Sequence, residues 1–94
     1  MSVTIDEITF DNVVYDPVGD VLHLHVGDPH TAVAFDESPE GHAIRLDAAG
    51  RVVGITLVRP RHLMDGGEPV AVTLPARKPI AVDPATLNSA LHAA

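Results

Sequence analysis

The sequence predicts an α+β, mainly β fold: an antiparallel β-meander of five to six short strands with one short C-terminal helix. Three observations predict it. Short β-branched and apolar runs alternate with turn signals over the first two thirds of the chain. The turn segments carry residues with a local mechanism, among them Asp16-Pro17-Val18-Gly19-Asp20 and Asp47-Ala48-Ala49-Gly50. The pair Asp83-Pro84 is a helix start, with an N-cap carboxylate followed by proline at the first helical position.

The elements follow in order. Residues 8–15 read as a strand with a bulge or bend at Asp11-Asn12. In the turn after it, Asp16 accepts backbone N–H groups, Pro17 presets φ, and Gly19 supplies a positive φ. Residues 21–26 form the next strand, ended by Gly27-Asp28-Pro29, and residues 31–36 a third, weakened by Ala32 and Ala34. After a break at residues 37–41, residues 42–46 and 52–58 make a hairpin whose loop places Gly50 in the left-handed region. Residues 60–65 form a helical turn, Gly66-Gly67 a joint, residues 70–74 a short strand, and residues 76–80 an irregular stretch. The closing helix spans residues 85–92, with Leu87 and Leu91 on its inner face.

Ninety-four residues make one domain, 1–94, with a β core over 12–65 and a C-terminal extension of strand and helix over 66–94. A chain of this length removes only about 60–65% of its unfolded surface from water, so the core is thin. There is no cysteine, which excludes a disulfide framework, a thiolate metal site and a cysteine nucleophile. Thirteen acidic residues stand against six basic ones, a net charge of −7. So few cations, with 3% aromatic residues, exclude a phosphate-tracking or base-stacking surface, and no nucleic acid is expected as a partner. No apolar run approaches the roughly 20 residues that span a bilayer. No export signal is visible at the N-terminus, so no membrane association and a cytoplasmic location are expected.

Strand alternation carries a further expectation. Residues 21–26 place Leu22, Leu24 and Val26 on one face and Val21, His23 and His25 on the other. Residues 52–58 place Val53, Ile55 and Leu57 against Val52, Gly54, Thr56 and Val58, whereas residues 42–47 alternate cleanly, with Ile44 and Leu46 on one face and Arg45 and Asp47 on the other. Strands apolar on both faces need cover on both faces. One short helix covers part of one face, so a second copy is expected over the other, as a homodimer.

Tyr15-Asp16-Pro17, Asp20-Val21-Leu22, Glu40-Gly41, Leu46-Asp47 and Gly50-Arg51-Val52-Val53-Gly54-Ile55 together resemble the domain of unknown function 2283 family. The resemblance covers residues 12–65; His23 stands where relatives often carry tyrosine, and Thr56 where they often carry glutamate. It implies a small bacterial β-rich domain with no catalytic residues to transfer. It also implies an antitoxin-like alternative, as partner of a small basic protein.

His23 and His25 are the candidate metal ligands. Residues i and i+2 of a strand point the same way, about 7 Å apart at the backbone, and His42 or Asp47 from a neighbouring strand would complete a transition-metal site. The alternative is a solvated strand face with no cofactor. His30, His62 and His92 read as surface residues, and Asp16, Asp20, Asp36, Glu37 and Glu40 as turn caps. Tyr15 reads as a packed ring with a tethered hydroxyl. Ser2, Ser38 and Ser89 lack a nucleophile-elbow context, and no phosphate-binding glycine loop is present. The leading expectation is a homodimeric interaction or ligand-binding module without catalytic activity, with a protein as a further partner. A small metal-dependent enzyme or metalloprotein using His23 and His25 is the alternative.

Overall fold

A computed structural model describes residues 1–92. Its nine strands and two helices are β1 (Val3–Ile5), β2 (Ile8–Phe10), β3 (Asn12–Asp16), β4 (Val21–His25), β5 (Ala34–Glu37), β6 (Ala43–Leu46), β7 (Val52–Val58), α1 (Pro60–Asp65), β8 (Ala71–Val72), β9 (Ile80–Ala81) and α2 (Pro84–His92). The fold is α+β and mainly β. Five strands form one antiparallel sheet in the order β3-β4-β7-β6-β5, and β1-β2 and β8-β9 form two small antiparallel pairs. The meander is thus in two runs: the hairpin β3-β4 and the three-stranded β5-β6-β7, joined where β7 lies beside β4. Leu22 faces Leu57 and Leu24 faces Ile55 across that seam. Setting the two most apolar strands together at the centre buries the most apolar surface, which explains why the weaker β5 is left at an edge.

One face of this sheet is sealed by the chain itself. Leu22, Leu24, Ile44, Ile55 and Leu57 are buried there with Val3, Ile5 and Phe10 from the N-terminal hairpin. Val70, Val72, Leu74, Val82, Leu87, Ala90 and Leu91 complete the core from the C-terminal segment. Val70, Val72 and Leu74 alternate with partly exposed or exposed neighbours, as a strand-period segment should, although only Ala71–Val72 pairs as a strand. The C-terminal helix starts as expected. Asp83 accepts the Thr86 N–H at 3.0 Å, and Leu87 and Leu91 are buried.

Several local expectations need correction. Residues 8–15 are not one bent strand. The chain breaks at Asp11, whose carboxylate accepts the Gly27 N–H at 2.8 Å, and the two halves join different sheets. The first half pairs with Val3–Ile5 through a turn in which Asp6 and Glu7 both take positive φ, 49° and 69°. The third strand begins at Ala34, after a 3-10 turn at Pro29–Thr31, and runs to Glu37. Asp20, not Gly19, holds the left-handed position of the first turn, at φ 53°. Gly19 is needed for closeness instead, since a Cβ there would sit 3.0 Å from the Asp16 carboxylate. Ile80–Ala81, expected to be irregular, is the second strand of the β8-β9 pair. Gly66-Gly67 ends α1, with the Gly66 N–H donating to the His62 carbonyl and the Gly67 N–H to the Met64 carbonyl.

A β-bulge shapes the sheet centre. Arg45 pairs with Gly54 but Leu46 pairs with Val52, leaving Val53 as the extra residue. The slip moves Val52 to the covered side, where it packs against the core, rather than to the face with Gly54 and Thr56.

Candidate functional site

Among the described residues, the other face of the five-stranded sheet leaves apolar side chains in solvent. Cross-strand register lines up Val14, His23, Thr56 and Ala43 in one row, and Asn12, His25, Gly54 and Arg45 in the next. Val14 is 54% exposed on β3 and Phe35 72% exposed on β5, and Val58 is also exposed. Across β3, β4, β7 and β6 lies a groove of about 290 Å³ lined by Asn12, Val14, His23, Leu24, His25, Arg45 and Thr56.

Gly54 lets His25 and Arg45 approach each other over the sheet. A Cβ at this position would meet His25 Cδ2 at 2.9 Å and Arg45 Cβ at 3.2 Å, so the two flanking side chains occupy the space a side chain would need. His25 Nδ1 lies 3.0 Å from the Val26 carbonyl, and because a carbonyl only accepts, Nδ1 carries the proton. His23 is exposed, with Nδ1 3.3 Å from Thr56 Oγ1. The Arg45 guanidinium lies 5.6 Å from the centroid of the Phe35 ring.

His23 and His25 therefore share a face, as strand alternation requires. The residues expected to complete a metal site do not join them. His42 is buried just before β6, where its Nδ1 accepts the Val58 N–H at 3.0 Å. Asp47 sits in the β6–β7 turn, where its carboxylate accepts the Ala49 and Arg51 N–H groups and the Arg51 guanidinium at 2.9 Å. Among the described residues no group of three or more histidine or carboxylate side chains is placed to hold a metal ion. Arg45 beside His25 adds a fixed positive charge that opposes a cation in the groove.

The remaining polar residues act within the fold. The Tyr15 hydroxyl donates to Asp20 Oδ1 at 2.8 Å, the tethered ring expected of a tyrosine before a turn. Asp20 also accepts the Arg61 and His62 N–H groups at 3.1 and 3.0 Å, so a carboxylate from the first turn caps α1, whose own N-cap residue Arg59 supplies no side-chain bond. Partial burial acts to raise the Asp20 pKa, but the bonds from His62, Tyr15 and Arg61 outweigh it and hold the carboxyl below its ordinary value. Asp20→Ala is expected to cost about 2 kcal/mol, from the lost cap and from alanine in a left-handed conformation. Asp20→Asn, which tolerates that conformation, should cost less. Urea unfolding of both variants checks the order, and equal losses would show that capping chemistry is not the cause.

Asp16 accepts the Val18 N–H at 3.0 Å in the same turn. Glu40 accepts the Thr73 N–H at 3.0 Å and its hydroxyl at 2.6 Å, tying the β5–β6 turn to the C-terminal segment. His30, His62 and His92 are exposed. No helix of the described residues is long and apolar enough to cross a membrane.

The sequence reading singled out His23 and His25 but missed Arg45 and Gly54, which lie on different strands and meet only through the β4-β7-β6 register. The one available signal was a glycine inside a strand pattern, which marks a close approach of neighbouring groups. Comparison with family models, curated proteins and solved structures finds no significant match.

Proposed function

We propose that this chain is a non-catalytic binding module whose working surface is the open face of the five-stranded sheet, and that it acts as a homodimer with that face between the two copies. One observation carries the reading: the chain's own termini seal one face and leave Val14, Phe35 and Val58 in solvent on the other. Covering such side chains is worth roughly 25 cal/mol per Å² of apolar surface removed from water. A two-fold axis offers cover without a second gene product, because an isologous interface needs only a patch that complements itself. Support for a binding role over a catalytic one comes from the titratable residues. Asp16, Asp20, Glu40 and Asp47 are committed to backbone N–H groups, and the Tyr15 hydroxyl is committed to Asp20.

Light scattering coupled to size exclusion tests the reading. The expected mass is twice that of the 9.9 kDa chain. Val14→Asp, at an exposed position on an edge strand, is expected to return a folded monomer, because it places a carboxylate in the interface without touching the core. A parent chain that stays monomeric at micromolar concentration, or a variant that still dimerises, would sink it.

A further inference from the structure

The β5–β6 register extends both rows of the open face by one residue. Phe35 stands opposite Arg45, and Glu37 opposite Ala43, so one row ends Gly54, Arg45, Phe35 and the next Thr56, Ala43, Glu37. Arg45 and Glu37 are the only lysine, arginine, aspartate or glutamate residues in the two rows. Neither makes an ion pair among the described residues. Glu37 is exposed, and the Arg45 guanidinium lies 5.6 Å from the centroid of the Phe35 ring, on the β5 side of its own strand. One unpaired cation and one unpaired anion therefore stand on adjacent strands and in adjacent rows of the same face.

We infer that Arg45 of each copy pairs with Glu37 of the other in the homodimer, about a two-fold axis that runs across the strands between the two rows. A net charge of −7 makes two copies repel, so a face that meets its own copy needs opposite charges placed to meet. This axis places them. It exchanges the two rows and lays each strand over the same strand of the second copy, running the opposite way, in the aligned manner of packed sheets. Arg45 then faces Ala43 of the second copy, whose short side chain leaves room, and Glu37 of that copy stands one strand away, about 4.8 Å. Packed sheets stand about 10 Å apart, a gap that arginine and glutamate span from its two sides. Gly54 faces Thr56 of the second copy, so little bulk holds the centre apart. An axis along the strands through β7 would instead carry Glu37 over Val14 and leave both charges unpaired. Charge thus selects one of the two face-to-face arrangements. This inference rests on the open face as the dimer interface and adds to it an orientation and a reciprocal ion pair.

Charge reversal tests it, with light scattering over a dilution series of the full chain and circular dichroism to confirm folding. Arg45→Glu alone and Glu37→Arg alone should each weaken the dimer at least tenfold, because each brings like charges together twice. An equimolar mixture of the two variants should regain the dimer as a heterodimer, since every reversed charge then meets its opposite. The double variant Arg45→Glu/Glu37→Arg should regain it as a homodimer. Single variants that dimerise as tightly as the parent, or a mixture and a double variant that both stay monomeric, overturn the ion pair while a dimeric parent keeps the interface. A parent chain that is monomeric at micromolar concentration overturns the homodimer and the ion pair with it.

Discussion

Phe10→Ala is expected to lower the stability of the domain by about 3–5 kcal/mol, the usual cost of truncating a buried aromatic ring. Phe10 is 0% exposed and belongs to the core cluster, although it sits in a three-residue strand near the N-terminus. It shares one buried cluster with residues of the sheet and of the C-terminal segment, so its loss opens a cavity in their common core. A domain of 94 residues has a total stability of roughly 5–14 kcal/mol, so the loss removes a large share of it. The melting temperature should fall by at least about 12 °C. The chain provides its own control, since its second phenylalanine, Phe35, is exposed on the open face. Phe35→Ala should change the stability of the single chain by less than about 1 kcal/mol. Thermal and urea unfolding of both variants gives the comparison. Similar losses for the two would mean that the hairpin is not part of the cooperative core.

The same contrast shows what could be read in advance. Elements set by local chemistry were legible: the Asp16 turn, the Asp47–Gly50 loop, the Asp83 cap and the buried Leu87 and Leu91 each depend on a few neighbouring residues. Strand pairing was legible only where a short turn imposed it. Nothing near Val21–His25 announces that β7 lies beside it, because the decision belongs to the summed burial of two distant apolar strands. The β1-β2 hairpin escaped notice because its turn uses Asp6 and Glu7 at positive φ, where glycine or asparagine would have been the signal. Arg77 offsets that choice from far along the chain by bonding the Asp6 carboxylate at 2.8 Å. The bulge at Val53 likewise moved Val52 to the other face against simple alternation.

The candidate site was half legible for the same reason. Alternation put His23 and His25 on one face correctly. It did not show that His25 would be buried, that its ring would lie over Gly54, or that Arg45 would come to the opposite side. Those facts need the order of three strands. Histidine spacing alone pointed to a metal, whereas the strand register brings the positive charge of Arg45 into the same groove.

Acid should destabilise this protein earlier than its carboxylates alone would, and His42 is the reason. The ring is 2% exposed, and its Nδ1 accepts the Val58 N–H at 3.0 Å, standing in for a strand carbonyl at the end of β7. That bond requires an unprotonated Nδ1, since a protonated ring would turn a donor toward a donor. Burial holds the His42 pKa below its ordinary value of 6.5, and the Ala71 carbonyl and the Glu40 charge only partly oppose it. The sign follows from linkage. With the folded pKa below the unfolded one, the unfolded chain takes up the proton first, so stability is full above about pH 6.5 and falls as pH drops toward the folded value. The slope from one such group reaches about 1.4 kcal/mol per pH unit. Glu40, Asp20 and Asp47 also have folded pKa values below their ordinary ones, 4.5 for the glutamate and 3.8 for the aspartates, so their stabilisation is lost only in more acid solution. The histidine window therefore opens at a higher pH than theirs. His42→Ala is expected to cost about 2–4 kcal/mol at pH 7.5, from the orphaned Val58 N–H and the vacated ring volume, and to flatten the stability profile as pH falls below 6.5. His42→Asn tests the cause, because an amide oxygen can accept the same N–H without titrating: it should recover part of the stability while keeping the flat profile. Urea unfolding at a series of pH values supplies both readouts. A slope that persists in His42→Asn would move the acid sensitivity to another group.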